Sequence, residues 1–181
     1  MKKLIVITGT PGVGKSTLAK TLARRLKFKM IDLHNYYLEI SLGYDRKNKC
    51  HEINFKKFIA LITRLKEEPG FKKNGEPGII LDSHIAHLLP KRLIDFCIVL
   101  TCSDLKVLER RLKKRKYSLQ KIRDNLEAEI MQVCLLEAKE KGHKIMVIDN
   151  CENIDVKKVA KKLSKKGLCH LLIKNDFWKK R

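Results

Sequence analysis

A stretch of nine residues near the amino terminus has the types and spacing that hold a phosphate group. Residues 9–17 read Gly-Thr-Pro-Gly-Val-Gly-Lys-Ser-Thr, which fits the pattern G-x-x-x-x-G-K-[ST] in full. Glycines let consecutive backbone N–H groups turn toward a phosphate. Lys15 has the length to reach the β- and γ-phosphates of a nucleotide, and the Ser16 hydroxyl can ligate Mg²⁺. The pattern therefore predicts a site for a nucleoside triphosphate with Mg²⁺.

A phosphate loop also needs a carboxylate for the water shell of its metal, usually at the end of another strand. Asp82 closes the apolar run of residues 79–81, which places it at the carboxyl edge of a buried strand. Asp149 ends the run Ile145–Ile148 and is the alternative, although the polar residues after it suit a turn or helix cap. This placement favours Asp82 as the metal-side carboxylate.

His84 lies two residues beyond Asp82. Beside a metal-bound nucleotide, a histidine can orient or deprotonate an attacking water, or polarise a phosphate. A purely structural histidine fits the sequence equally well, so both interpretations stay open. A metal site built from His84 and His87 with Cys50 and His51 is a weaker alternative, because the spacing does not fix its geometry.

The elements that must position these residues alternate along the chain. Apolar runs without period-two alternation are typical of strands covered on both faces. They occur at Leu4–Ile7, Ile79–Leu81, Phe96–Leu100 and Ile145–Ile148, with a weaker one at Phe28–Ile31. Helical patterns lie between them at about 15–26, 33–41, 54–67, 103–115, 118–141 and 153–166. This alternation predicts an α/β fold, a parallel sheet with helices on both faces, in one domain with a Pro/Gly-rich surface loop at 68–78.

The composition is strongly basic. The 181 residues include 41 Lys and Arg against 20 Asp and Glu, a formal charge of +21, and 44% of the chain is hydrophobic. Such a charge is typical of a protein with a polyanionic partner such as RNA; the alternative is a heat-adapted surface, but that raises both signs together. Lysines and one arginine dominate from Lys157 onward, either as a solvated helix face and tail or as an RNA-contacting surface.

Several function classes are excluded or disfavoured. No run of about 18 apolar residues is present for a membrane span. The apolar stretch after Met1 is too short for a signal peptide, so we expect a cytoplasmic protein. The six cysteines form no C-x-x-C pair, which argues against a zinc ribbon or a thioredoxin-type site and favours buried free thiols.

These residues together resemble the adenylate kinase 6 family. The resemblance rests on the phosphate loop, Gly43-Tyr44-Asp45, Leu81-Asp82-Ser83-His84, and the run from Arg115-Lys116-Tyr117 to Asn125-Leu126-Glu127-Ala128-Glu129-Ile130. It covers about residues 3–165. The family includes archaeal adenylate kinases and a eukaryotic coilin-interacting nuclear ATPase that assists assembly of the small ribosomal subunit.

The resemblance implies a P-loop NTPase fold of the nucleoside monophosphate kinase type, with five parallel strands in the order 2-3-1-4-5. It implies a monophosphate-binding region at about 32–53, a lid at about 114–124 and a basic C-terminal extension at about 166–181. ATP would be bound by Gly12, Val13, Gly14, Lys15, Ser16, Thr17 and Arg115. Lys15, Asp82, His84 and Arg115 would be catalytic, with Ser16 and Asp82 on Mg²⁺.

Arg115 also fits this role on physical grounds, because it lies in a cationic stretch, residues 110–116, that can neutralise phosphate charge once a lid excludes water. Arg92, after Pro90, is a candidate for a second phosphate contact. Relatives tend to have glycine where this chain has Lys116.

Two functions follow as expectations. The first is transfer of phosphate from ATP to AMP, giving two ADP, with accompanying ATPase activity and a role in small-subunit assembly. The alternative is chiefly an ATPase switch that binds a small-subunit platform ribosomal protein and rRNA. Residues 33–40 contain no arginine of the kind with which ordinary adenylate kinases hold the monophosphate, and only Arg46 lies nearby, which keeps the alternative open. A pure RNA-binding protein with a vestigial site is disfavoured by the intact loop, Asp82 and Arg115.

Overall fold

The computed structural model describes residues 3–46, 50–68, 78–151 and 154–164. Its strands are β1 (Lys3–Thr8), β2 (Lys29–Asp32), β3 (Ser41–Asp45), β4 (Cys50–Ile53), β5 (Gly78–Asp82), β6 (Phe96–Thr101) and β7 (Ile145–Asp149). Its α-helices are α1 (Lys15–Leu26), α2 (Tyr37–Ile40), α3 (Phe55–Glu67), α4 (Leu105–Lys114), α5 (Leu119–Ile130), α6 (Val133–Glu140) and α7 (Val156–Ser164). Most of the predicted 68–78 loop and the extension at 166–181 lie outside the described residues.

Five parallel strands form the main sheet in the order β2-β5-β1-β6-β7. Counted within this sheet alone the order is 2-3-1-4-5, as predicted. The central strands are apolar throughout because helices cover both faces. Successive side chains point to opposite sides, so Leu4 and Val6 join one buried cluster while Ile5 and Ile7 join the other. The predicted α/β fold is confirmed.

A hairpin of β3 and β4 adds a second, antiparallel sheet that the sequence did not predict. The predicted helix at 33–41 is also wrong in its length. A 3-10 turn at Leu33–Tyr36 and the four-residue α2 take its place. Ile40 is buried in the core, while Leu38 and Leu42 are exposed. With so little of this segment buried, its helical pattern lacks the packed face that stabilises a longer helix.

The predicted helix at 118–141 is two helices, α5 and α6, separated at Gln132, which has a φ of +52°. The break carries the chain from one face of the sheet to the other. Ile122 of α5 packs in the cluster beside α1, whereas Leu135 and Ala138 of α6 pack in the cluster on the opposite face. A straight helix cannot reach both. Across the described residues, no helix has the length and apolarity to cross a membrane.

Lys116 ends the α4 segment in a left-handed conformation, with a φ of +56°. A residue with a Cβ is strained there, whereas glycine is not. We therefore expect Lys116→Gly to raise the free energy of unfolding by about 1 kcal/mol and the thermal midpoint by about 2–4 °C. Thermal unfolding followed by circular dichroism measures this shift.

Lys114→Gly is the matched control, because Lys114 is an exposed lysine with helical geometry at the end of α4. Glycine in a helix is destabilising by about 0.5–1 kcal/mol. The two variants should therefore shift the midpoint in opposite directions. A lower midpoint for Lys116→Gly would contradict the strain argument.

Candidate functional site

The loop between β1 and α1 curls at the carboxyl edge of the sheet, and its glycines are required by close contacts. Gly9 has a φ of +135°, and a Cβ there would lie 2.2 Å from the carbonyl oxygen of Leu100 in β6. Gly14 has a φ of +101°, and a Cβ there would lie 2.3 Å from Nδ2 of Asn150. Side chains at either position would displace the loop, so its backbone is fixed by its neighbours.

Two polar side chains brace the loop, and sequence reasoning missed both. Asn150, directly after β7, donates from Nδ2 to the carbonyl oxygen of Val13 at 2.6 Å. Glu129, near the end of α5, is buried and accepts from the backbone N–H of Cys102 at 2.6 Å, and the hydroxyl of Thr10 bonds to the same carboxyl group. The only sequence signal for Asn150 was its position after a predicted strand. These contacts tie the loop to β7 and α5.

Lys15 begins α1 and turns back over the loop. Its Nζ donates to the carbonyl oxygens of Gly9 at 2.8 Å and Thr10 at 3.0 Å. Removal of the amine from water lowers the pKa of Lys15 to about 8, although Asp82 opposes this shift. The ammonium is still the main form at neutral pH, and these contacts hold it against the backbone of the loop.

Asp82 ends β5 beside the loop and is 4% exposed. Burial raises the pKa of its carboxyl group, while the Ser16 hydroxyl and the Lys15 ammonium favour the ionised form. In the sheet, Asp82 is paired in register with Asp32 at the end of β2. The structure therefore brings Lys15, Ser16 and Asp82 together as the sequence predicted and adds a second carboxylate, Asp32.

Asp149, the alternative carboxylate, forms hydrogen bonds within the loops after β6 and β7. It accepts from the backbone N–H groups of Ser103 and Cys151, each at 3.2 Å, and from the Ser103 hydroxyl. Burial opposes ionisation, but these hydrogen bonds outweigh it and lower the pKa of Asp149. Asp149 joins the loops after β6 and β7, which is a turn role.

His84 is exposed and lies near enough to Lys15 for the charge of that lysine to act on it. The Thr8 hydroxyl donates to its carbonyl oxygen at 3.2 Å. Partial removal of the ring from water and the positive charge of Lys15 lower the pKa of His84 to about 4. The imidazole is therefore neutral at pH 7 and able to accept a hydrogen bond.

His87 has a structural role instead. Its ring lies within 2.7 Å of both the Thr8 hydroxyl and a carboxylate oxygen of Glu137. No group of three metal-ligating side chains is found among the described residues. The weaker alternative, a metal site of His84 and His87 with Cys50 and His51, therefore has no support among the residues that the structure describes.

Two arginines had been candidates for phosphate contact. Arg115 follows α4, is exposed, and is near enough to Lys15 for its charge to lower the pKa of that lysine. The prediction for Arg92 is wrong. Arg92 lies at the amino edge of the sheet. The backbone N–H of Asp95, three residues later, donates to the carbonyl oxygen of Leu4 at the start of β1. Parallel strands put that edge opposite the phosphate loop.

The 3-10 turn after β2 contains a histidine that sequence reasoning did not single out. Nδ1 of His34 lies 2.7 Å from Oδ1 of Asp32, which also accepts the backbone N–H of His34. The charge of His34 acts on both Asp82 and His84. The 3-10 turn and α2 contain no arginine. Arg64 of α3 forms an ion pair with Glu39 at 3.0 Å.

This fold and site define a P-loop nucleotide-binding protein of the kinase type. Among solved structures, the YorR protein of Bacillus subtilis in complex with phosphorylated GDP has a TM-score of 0.56 and 17% identity, covering 89% of this chain and 93% of that one. A kinase-titled structure from Chloroflexus aurantiacus has the same TM-score and identity, covering 90% and 93%. At this identity the likeness shows the fold alone.

Sequence comparisons give the family. A family model described as an AAA domain matches residues 5–132. A "Putative adenylate kinase" of Methanocaldococcus jannaschii is 36% identical over 171 residues, covering 91% of this chain and 90% of the relative. An "Adenylate kinase isoenzyme 6 homolog" of Schizosaccharomyces pombe is 37% identical over 147 residues, covering 80% and 79%. The chain belongs to this adenylate kinase 6 family and is a phosphotransferase.

Proposed function

We propose that the protein transfers the γ-phosphoryl group of ATP to AMP, giving two ADP, and that it hydrolyses ATP more slowly when no acceptor is bound. The observation that carries the proposal is the convergence of Lys15, Asp82 and His84 around the braced phosphate loop. Membership of the adenylate kinase 6 family supports the choice of nucleotides. A water molecule in place of AMP accounts for hydrolysis at the same site.

The chain's own groups would act mainly by positioning and charge stabilisation, as phosphoryl transfer requires. Backbone N–H groups of the loop bind the β-phosphate, and Lys15 neutralises charge between the β- and γ-phosphates. Arg115 approaches the transferring group when the lid, about 114–124, closes and excludes water. His84 is neutral at pH 7, so its ring can accept a hydrogen bond and orient the nucleophile, whether that is AMP or water.

The residues present fit a magnesium ion. Mg²⁺ prefers oxygen ligands, usually one or two protein oxygens together with phosphates and water. The Ser16 hydroxyl is hydrogen-bonded to the Asp82 carboxylate beside the loop. These two residues would hold the ion or its water shell, and when bound it would neutralise charge on the β- and γ-phosphates.

The acceptor would bind on the side formed by residues 32–53. His34 is the candidate phosphate ligand there, since Asp32 holds its ring in place at 2.7 Å. A histidine in place of the usual arginine is a weaker phosphate ligand. We therefore expect a higher KM for AMP than a kinase with an arginine clamp would show.

The direct test is product analysis by chromatography after pure protein is incubated with ATP and Mg²⁺, with and without AMP. ADP formation that depends on AMP, two molecules for each ATP consumed, supports the kinase. ADP and free phosphate at the same rate with and without AMP would instead make the protein an ATPase. Omitting Mg²⁺ is the control and should suppress both reactions.

We further propose a second function, binding to rRNA and a ribosomal protein of the small subunit. The specific observation is a basic surface formed by α1 and α7, which pack side by side. A shallow depression of about 430 Å³ on α1 is lined by Thr17, Lys20, Thr21 and Arg24. The exposed lysines of α7 are Lys157, Lys158, Lys161 and Lys162. The formal charge of +21 supports a polyanionic partner.

If this surface contacts RNA phosphates, affinity for a small-subunit rRNA fragment should fall steeply with salt. Lys158→Gln with Lys162→Gln removes two such contacts and should flatten the slope of log K against log salt by about 1–2. Lys141→Gln with Lys144→Gln is the matched control, since these exposed lysines follow α6, which packs on the opposite face of the sheet from α1 and α7. An unchanged slope in the α7 variant, or a salt-independent affinity, would refute phosphate contacts there.

A further inference from the structure

Two cysteines far apart in sequence meet at the carboxyl edge of the sheet. Cys102 directly follows β6, and Cys151 lies two residues after β7. Their sulfur atoms are 3.1 Å apart, although 49 positions separate them in the chain. Cys102 is 1% exposed, whereas Cys151 is half-buried. Among the described cysteines, no other pair of sulfur atoms lies within hydrogen-bonding distance.

The geometry points to a redox modification site: we propose that Cys102 and Cys151 form a reversible disulfide. The strands that precede them, β6 and β7, are parallel neighbours whose ends are paired at Thr101 and Asp149. Neighbouring strands lie about 4.8 Å apart, which is close to the backbone separation that disulfides bridge. The sulfurs need to approach by only about 1 Å to bond.

The surroundings of Cys151 suit it to react first. Its sulfur accepts the backbone N–H of Asp104 at 3.0 Å, at the amino end of α4, and the hydroxyl of Ser103 lies 3.5 Å away. Donors beside a sulfur support the negative charge that it carries when it attacks. Cys102 is enclosed, and burial raises the pKa of its thiol, so it keeps its proton until its partner is oxidised.

A hydroperoxide is the oxidant that completes the reaction. The sulfur of Cys151 attacks the peroxide, the O–O bond breaks, and the leaving alkoxide or hydroxide takes the thiol proton, which leaves a sulfenic acid on Cys151. The sulfur of Cys102 then attacks the sulfenic sulfur. The S–O bond breaks, and the departing hydroxide takes the proton of Cys102 as water. With hydrogen peroxide, two thiols give one disulfide and two waters.

The disulfide would act on the braces of the phosphate loop. Asn150, which holds the carbonyl oxygen of Val13, immediately precedes Cys151. Glu129, bonded to the loop through Thr10, is held by the backbone N–H of Cys102. A covalent link between the cysteines ties the two braces together and closes a long loop in the unfolded chain. The oxidised protein is therefore locked in its folded form with the nucleotide site intact.

The test exposes the folded, reduced protein to hydrogen peroxide, blocks the remaining thiols and maps the linkages by mass spectrometry. Chymotryptic cleavage after Leu100 separates Cys102 from Cys97. We expect one disulfide, between the peptides of Cys102 and Cys151, and a rise of the thermal midpoint on the order of 10 °C. Dithiothreitol should reverse both, and ATP affinity should change less than twofold.

Cys151→Ser should lose the linkage and the midpoint shift, and so should Cys102→Ser. Cys50→Ser is the control, because Cys50 is exposed on the β3–β4 hairpin, and it should retain both. Linkages that involve Cys50, Cys134 or Cys169, or irreversible oxidation of Cys151 without a linkage, would overturn the proposal. The mapping does not depend on kinase activity, so it stands or fails apart from the proposed function.

Discussion

Lys15→Ala should abolish both phosphoryl transfer to AMP and hydrolysis of ATP, lowering kcat/KM by at least about 10³-fold, or about 4 kcal/mol of transition-state stabilisation. The ammonium of Lys15 is already held at the loop by the carbonyl oxygens of Gly9 and Thr10. Alanine removes the cation that meets the transferring phosphate and also leaves these two acceptors without it. Initial rates with a coupled assay, with and without AMP, measure the loss.

Lys20→Ala is the matched control for this prediction. Lys20 lies on the same helix, five residues further on, and is exposed on the outer face of α1. Its removal should leave kcat/KM within about twofold, because exposed charges contribute little to a screened site. Retained turnover in purified, folded Lys15→Ala protein would show that the nucleotide site lies elsewhere.

Asp82→Ala combined with His84→Ala should lower the rate of ATP hydrolysis by at least about 10²-fold while largely sparing ATP affinity. The backbone of the phosphate loop and Lys15 provide most of the binding to the triphosphate, and the loop backbone is held by Asn150 and Lys15 rather than by Asp82 or His84. Asp82 instead serves the metal and His84 the nucleophile. Phosphate release under saturating ATP measures the rate, and equilibrium binding of a fluorescent ATP analogue measures the affinity.

Asp149→Asn distinguishes the two candidate carboxylates. Asp149 is tied to Ser103 and Cys151, and asparagine preserves an acceptor oxygen for those contacts. Hydrolysis in this variant should stay within a few fold of the unaltered protein. A loss equal to that of the Asp82 and His84 variant would move the metal-side role to Asp149, and an unchanged rate in the double variant would count against the pair.

The sequence predicted the parts of the fold that depend on local pattern. The apolar runs gave the five parallel strands, and α1 begins and ends where its pattern predicted. The sequence-based prediction failed where contacts between residues distant in the chain determine the structure. The break at Gln132 carries no glycine or proline, and it exists because two faces of one segment are buried on opposite sides of the sheet. Arg92 was misplaced because its position depends on where the chain returns to the sheet.

The amino-acid sequence by itself determined the phosphate loop and the strand end that carries Asp82, since both depend on residues next to one another in the chain. Only the tertiary structure decided which side chains surround them. Asp32 meets Asp82 because β2 lies beside β5, and Asn150 holds the carbonyl of Val13 across 137 positions. Such contacts are set by strand order and by burial, and neither leaves a repeating pattern in the residues that meet.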